Sequence, residues 1–223
     1  MAQHPGCTVL TVFAGVPEPG CGLPAWDARC GFQSAREAVL TRREEDHKAL
    51  ATLAAHPVWL DFLDSQYGQP TTTQALAQAL HEALERLDSS TVLVPLGLFH
   101  SDHLMVHTAA QYAMAMGSSQ AQGRSWRIYE EVPYRGMPHW TDRRIQAVRQ
   151  QGLHLTLEVV PAEHPDGLKA QAARCYASQW HALGPTLWKE LSMPERFWIV
   201  HAGGASAATP RETDPTDGVT DAR

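Results

Sequence analysis

The sequence predicts an α/β fold of Rossmann-like, three-layer type, with a mostly parallel sheet and helices on both faces. Three observations carry that expectation. Short β-branched runs such as Cys7–Ala14 (CTVLTVFA) and Thr91–Leu96 (TVLVPL) alternate with segments of helical length. Polar capping residues precede several of the helical segments. The residues with the most chemistry, His100-Ser101-Asp102-His103, follow directly on the run at 91–96, just past the carboxyl end of a buried strand, where open α/β sheets place their ligands.

Taken in order, Cys7–Ala14 is a buried strand that begins almost at the first residue. Gly15 to about Gln33 is rich in Gly and Pro and too long for a simple connector, which makes it a candidate active-site loop. Ser34 can cap a helix to about Ala54, with Val39, Leu50 and Leu53 on its apolar side and Glu44–Lys48 as an exposed pair. Pro57–Phe62 is a short strand, followed by the polar loop Asp64–Gly68. Thr72 or Thr73 begins an amphipathic helix to Leu87.

After the strand at 91–96, a helix is expected from about Asp102 to Met116, then a Gly/Ser/Gln loop to Arg124. Trp126–Val132 and Leu153–Val160 are expected strands on either side of a helix at Thr141–Gln151. A last helix spans roughly Pro165–His181, and an aromatic stretch runs from Pro194 to Val200. From about Gly203 the only large apolar residue is Val219, so one domain over residues 1–202 and a disordered tail over 203–223 are expected.

A chain of 223 residues is ample for one hydrophobic core. A net charge of −6 gives no support to nucleic-acid binding through a basic surface. No apolar run approaches the roughly 20 residues that span a bilayer, so no membrane partner is expected. The start, Met1–Gly6, lacks a basic n-region and a long apolar stretch, so it is not a secretory signal, and a cytoplasmic location follows by default. Cys7, Cys21, Cys30 and Cys175 show no C-x-x-C spacing and indicate neither a zinc knuckle nor a disulfide framework.

A zinc hydrolase needs about three protein ligands and an open position for water. It also needs an acid for the leaving amine and stabilisation of the oxyanion. In H-x-D-H one imidazole can ligate while the other faces substrate, and the carboxylate between them can orient a ring. The spacing equally suits a polar helix start with Asp102 as cap and two surface histidines. His107, four residues after His103, shares its helix face, although the absence of a glutamate between them favours a structural or solvent-facing role. Dinucleotide and P-loop readings lack their phosphate-binding turns, since neither G-x-G-x-x-G nor G-x-x-x-x-G-K-[ST] occurs.

These blocks, in this order, resemble the PIG-L/LmbE-like deacetylases, zinc-dependent hydrolases of N-acetylated sugars. The resemblance covers most of the chain: Thr11–Gly20, Arg42–Leu53, Leu60–Asp64, Pro95–His103, Tyr129–Tyr134 (YEEVPY), Lys169–Trp180 and Pro194–Trp198. It implies that His103 is a zinc ligand, that His100 helps stabilise the oxyanion and protonates the leaving amine, and that Asp102 tunes His100. It matches Arg42 and Glu45 to an R-x-x-E whose arginine contacts substrate, and makes Asp64 a candidate for gripping sugar hydroxyls. An i,i+3 spacing independently puts Arg42 and Glu45 on one helix face, where a solvated salt bridge is the plainer alternative.

The family begins with a strand running into H-x-D-D, which supplies two zinc ligands and the general base. That motif is absent from this sequence. His4-Pro5-Gly6-Cys7 lacks both aspartates and precedes a strand. His164-Pro165-Asp166-Gly167 follows a strand but has one aspartate and lies at the wrong end, where helix capping explains it better. AQHPGCTVLTVFAG looks like the family's first helix–strand junction entered part-way, so an N-terminally truncated domain without its first strand is expected.

Two functions follow from the resemblance. One is a zinc-dependent amidohydrolase that removes acetyl from an N-acetylated sugar or related small molecule. The other is an inactive remnant or sugar-binding module lacking the H-x-D-D base and ligands. A site rebuilt from His103 and His107 is a third arrangement.

Overall fold

The computed structural model describes residues 4–68, 71–116, 123–132, 134–161, 167–183 and 186–201. The expected tail at 203–223, most of the loop after Met116, and His164 to Asp166 lie outside them.

The first strand, β1 (Thr8–Thr11), pairs in parallel with β2 (His56–Trp59), Thr8 opposite His56 and Thr11 opposite Trp59. Parallel neighbours need a crossover, and the chain between them supplies α1 (Ala25–Arg29) and α2 (Ala35–Thr52). The expected loop at 15–33 therefore contains a short helix. Gly15 is required where that loop leaves the strand: its N–H bonds the Phe62 carbonyl at 2.9 Å, and a Cβ there would lie 2.8 Å from the Phe62 backbone. Ser34 caps α2 by accepting the Glu37 N–H at 3.1 Å, and the Glu37 carboxylate accepts the Gln33 N–H at 2.8 Å. Val39, Leu50 and Leu53 are buried, as the sequence predicts.

Thr72 caps α3 (Thr73–Arg86) by accepting the Ala75 N–H at 3.1 Å. Leu76, Ala77, Leu80 and Ala83 form its buried stripe. That stripe meets α4 (Ser101–Met116) at Ala109, Ala110 and Ala113, small residues that let two helices approach closely. The same cluster takes in Val12 and Phe13 after β1 and Val94 from the next strand, so this helix pair packs against both sheets.

The second sheet has the order β3 (Thr91–Pro95), β4 (Ser125–Tyr129), β6 (Glu195–His201), β5 (His154–Val160). The β3–β4 pair is parallel, whereas β6 runs antiparallel to both β4 and β5. Among the described residues two of the four strand pairings are thus parallel, and the C-terminal aromatic stretch is the inserted antiparallel strand. Trp198 of β6 joins Leu96, Leu98, Ile128, Ile145 and Val148 in a second core, the last pair from α5 (Pro138–Gln150).

The long helix expected at 165–181 is broken. It forms α6 (Leu168–Arg174) and α7 (Ala177–Leu183), followed by α8 (Thr186–Leu191). Long-range bonds decide the break: the Tyr176 hydroxyl donates to Asp46 at 2.7 Å, and Glu45 accepts both the N–H and the hydroxyl of Ser178 at 2.7 Å. All four cysteines are free. Among the described residues no helix is long and apolar enough to cross a membrane.

Candidate active site

The site is built where β3 ends. Leu96 continues the ladder by bonding the Tyr129 carbonyl at 2.9 Å, and the chain then turns sharply. Gly97 has φ 84°, and a Cβ there would meet Leu104 Cα at 3.1 Å and Arg144 Nη2 at 3.3 Å, so a side chain is excluded twice over. Glu131, buried after β4, accepts the Gly97 and Leu98 N–H groups on Oε1 at 2.7 and 3.0 Å. Burial raises the Glu131 pKa, and those backbone donors oppose the shift. Arg144 reaches across from α5 to the Leu96 carbonyl, with Nε and Nη2 both at 3.2 Å. A carboxylate and a guanidinium from two different elements thereby hold the turn that delivers His100.

Asp102, in the first turn of α4, is buried and accepts the Ser65 N–H at 3.2 Å. The Asp102 N–H in turn donates to His100 Nδ1 at 3.2 Å. A ring nitrogen that accepts an N–H carries no proton, so neutral His100 holds its proton on Nε2. The Asp102 carboxylate lies 4.0 Å from the same Nδ1. The His100 and His103 rings lie 5.5 Å apart. His103 Nδ1 is 3.5 Å from Glu131 Oε1 without a hydrogen bond, and burial, assisted by His100, lowers its pKa.

Asp64 sits opposite, where Oδ1 accepts the Gln66 N–H at 3.0 Å. Burial raises its pKa; the Asp102 charge acts in the same direction, and His100 and Arg42 oppose it. Asp102, His100 and Arg42, from separate segments of the chain, thus each lie within Coulombic reach of Asp64. Arg42 is held by Asp27 of α1, Nη2 to Oδ1 at 2.6 Å, and Tyr67 donates to the other Asp27 oxygen at 2.9 Å. Glu45 does not join them. Both of its oxygens are taken by Ser178 at the start of α7, and the Arg42–Glu45 pair that the i,i+3 spacing allows is not formed.

No family model matches the chain, and no curated protein does. Solved structures do. The A40926 pseudoaglycone deacetylase Dbv21 is 27% identical, with 90% of this chain and 87% of that one aligned at a TM-score of 0.69. A triple mutant of a deacetylase from the teicoplanin biosynthetic pathway is 23% identical over 89% of this chain and 87% of its own, at a TM-score of 0.72. The zinc-inhibited form of teicoplanin deacetylase Orf2 is 22% identical over 89% and 88%, at 0.70. The fold is that of the PIG-L/LmbE-like deacetylases.

Among the described residues no group of three or more His, Cys, Asp or Glu could hold a metal ion. His103 therefore belongs to no such group among the described residues. His107 is 1% exposed; its Nδ1 lies 2.7 Å from the Pro95 carbonyl, and its Nε2 has no hydrogen-bond partner.

Sequence reasoning missed three residues of this arrangement. Asp27 lies in a stretch read as loop, and Tyr67 in a polar turn; the short run Pro24-Ala25-Trp26-Asp27 carries a helix-start signal that points to the first. Glu131 falls inside the YEEVPY block without any spacing that ties it to the turn at 97–98.

Proposed function

We propose that this chain forms the sugar-facing and leaving-group side of a zinc-dependent N-deacetylase acting on an N-acetylated amino sugar. The observation that carries it is the convergence of His100, Asp102, Asp64 and the Asp27-held Arg42 at the end of β3, in a fold shared with glycopeptide-antibiotic deacetylases. In amide hydrolysis the C–N bond breaks as the amine nitrogen takes a proton. In this reading His100 gives that proton from Nε2 of its imidazolium form and is left as the neutral ring, with the Asp102 carboxylate 4.0 Å from Nδ1. Arg42 and Asp64 offer a cationic donor and a carboxyl acceptor for sugar hydroxyls. The described residues do not make a zinc site, and the sequence contains no H-x-D-D aspartate to act as base. An in-frame upstream strand ending in that motif would complete both.

That incomplete ligand set favours a second reading, a sugar-binding module without turnover. Acetate release from N-acetylglucosamine with zinc added separates the two. Release that is lost in His100→Ala supports the deacetylase; binding of the sugar with no acetate released supports the module. Full turnover by His100→Ala removes His100 from the reaction.

A further inference from the structure

Two buried polar atoms of the site face each other without a bond. His103 Nδ1 is shielded from solvent and has no hydrogen-bond partner, although the side chain as a whole is 38% exposed, so the open part of the ring lies away from Nδ1. The carboxylate atom 3.5 Å from it is Glu131 Oε1. That oxygen already accepts the Gly97 and Leu98 N–H groups, while Oε2 of the same carboxylate is buried and has no partner. A buried ring N–H without an acceptor and a buried carboxylate oxygen without a donor each cost free energy, and ring movement of roughly half an ångström pairs them. The Leu98 carbonyl also lies against His103, but it accepts the His100 N–H at 2.7 Å. On another side Tyr134 meets the His103 ring edge-on, with centroids 5.6 Å apart.

We propose that Glu131 is a positioning residue for His103: its carboxylate accepts a hydrogen bond from Nδ1–H of the neutral ring and so leaves the lone pair on Nε2. The neighbouring His100 is fixed the other way round, since its Nδ1 accepts the Asp102 N–H and its proton sits on Nε2. Two rings 5.5 Å apart are thereby held in opposite tautomers. One carboxylate serves both histidines, because Oε1 holds the turn that delivers His100 while the same group orients His103. The use of this division rests on the sugar-deacetylase reading, in which one ring gives a proton and its neighbour presents a lone pair. The tautomers themselves follow from the hydrogen-bonding groups alone.

The test is a proton–nitrogen correlation spectrum of the histidine rings at about pH 8, where ordinary histidines are neutral, with the two signals assigned through His100→Gln and His103→Gln. In wild type His103 is expected as the Nδ1–H form and His100 as the Nε2–H form. Glu131→Gln keeps an oxygen for the Gly97 and Leu98 N–H groups but puts an NH2 donor in place of the second acceptor. It is expected to move the His103 tautomer ratio roughly tenfold or more toward Nε2–H and to leave His100 as it is. A wild-type His103 with its proton on Nε2 overturns the proposal. So does a His103 unchanged in Glu131→Gln, which assigns the Nδ1 proton to the Leu98 carbonyl. An equal shift of both rings also overturns it and makes Glu131 a support of the turn alone. Should the glutamine variant not fold, an Overhauser contact in wild type between the Nδ1 proton of His103 and the Glu131 methylene protons supports the proposal, and its absence overturns it. Opposite tautomers in a protein that releases no acetate from N-acetylglucosamine keep the positioning role and count against the deacetylase reading alone.

Discussion

Asp27 and Arg42 meet at 2.6 Å, the carboxylate fully buried and the guanidinium 23% exposed. Arg42 also lies over the Phe32 ring, its guanidinium carbon 5.4 Å from the centroid. The charged end of the arginine is thus anchored in the interior, within Coulombic reach of Asp64. Removing the anchor by Asp27→Ala leaves both Arg42 and the Tyr67 hydroxyl short of a partner, at an expected cost of about 2–4 kcal/mol in urea unfolding. Tyr67→Phe removes one hydrogen bond and should cost about 1 kcal/mol. An Asp27→Ala variant less affected than Tyr67→Phe would show that the ion pair contributes nothing.

Glu45 is expected to behave as a structural residue. Glu45→Ala strips two hydrogen bonds from the start of α7 and should destabilise the chain by about 2–3 kcal/mol. Its affinity for N-acetylglucosamine, measured below the unfolding transition, should stay close to wild type. A tenfold loss of affinity in a folded variant would return Glu45 to the sugar.

His107 makes stability depend on pH. Burial, with the positive charge of Arg144 from α5 acting in the same direction and the Pro95 carbonyl opposing, lowers its pKa to about 4. The unfolded chain protonates it near 6.5. Between those values the unfolded state takes up a proton that the native state refuses, so stability is full above about pH 6.5 and is lost as pH falls toward 4. The expected loss is about 3 kcal/mol. His107→Gln should flatten that part of the urea-midpoint profile against pH; an unchanged slope would assign the dependence to other groups.

Because no group of three or more His, Cys, Asp or Glu among the described residues could hold a metal ion, zinc is expected to stabilise the chain little. A complete site at a hundred times its Kd would add about 2.7 kcal/mol, and so several degrees of Tm. Melting curves with zinc and with EDTA are expected to superimpose, and His107→Ala should leave zinc affinity unchanged. A stoichiometric rise in Tm that EDTA reverses and His103→Ala abolishes would show that the ligand set is complete.

The secondary structure was legible wherever one local signal decided it. Ser34 and Thr72 are capping residues whose side-chain oxygens find the backbone N–H three residues on, and both helices begin where they stand. The run 91–96 is β-branched and ends at the turn before His100. The helix at 165–181 shows where local signals fail: nothing near Cys175 breaks it in the sequence, and the break depends on Glu45 and Asp46, about 130 residues away. The same holds within the site. His100, Asp102 and His103 are adjacent and were found together, whereas Asp27 and Glu131 reach it through contacts between elements.

By itself the sequence determined the alternation of strands and helices and the position of the H-S-D-H residues at a strand end. It also carried the resemblance to PIG-L/LmbE-like deacetylases and showed that H-x-D-D is absent. These depend on periodicity, capping and residue identity, which act over a few residues. Tertiary structure decided the partners. It gave Arg42 to Asp27 rather than Glu45, turned Glu45 into a cap, and buried His107 against Pro95. It also set β6 antiparallel between β4 and β5. Each outcome satisfies a buried charge, a hydrogen-bonding group or an apolar face with a group distant in sequence, and such pairings are chosen only when the chain has packed.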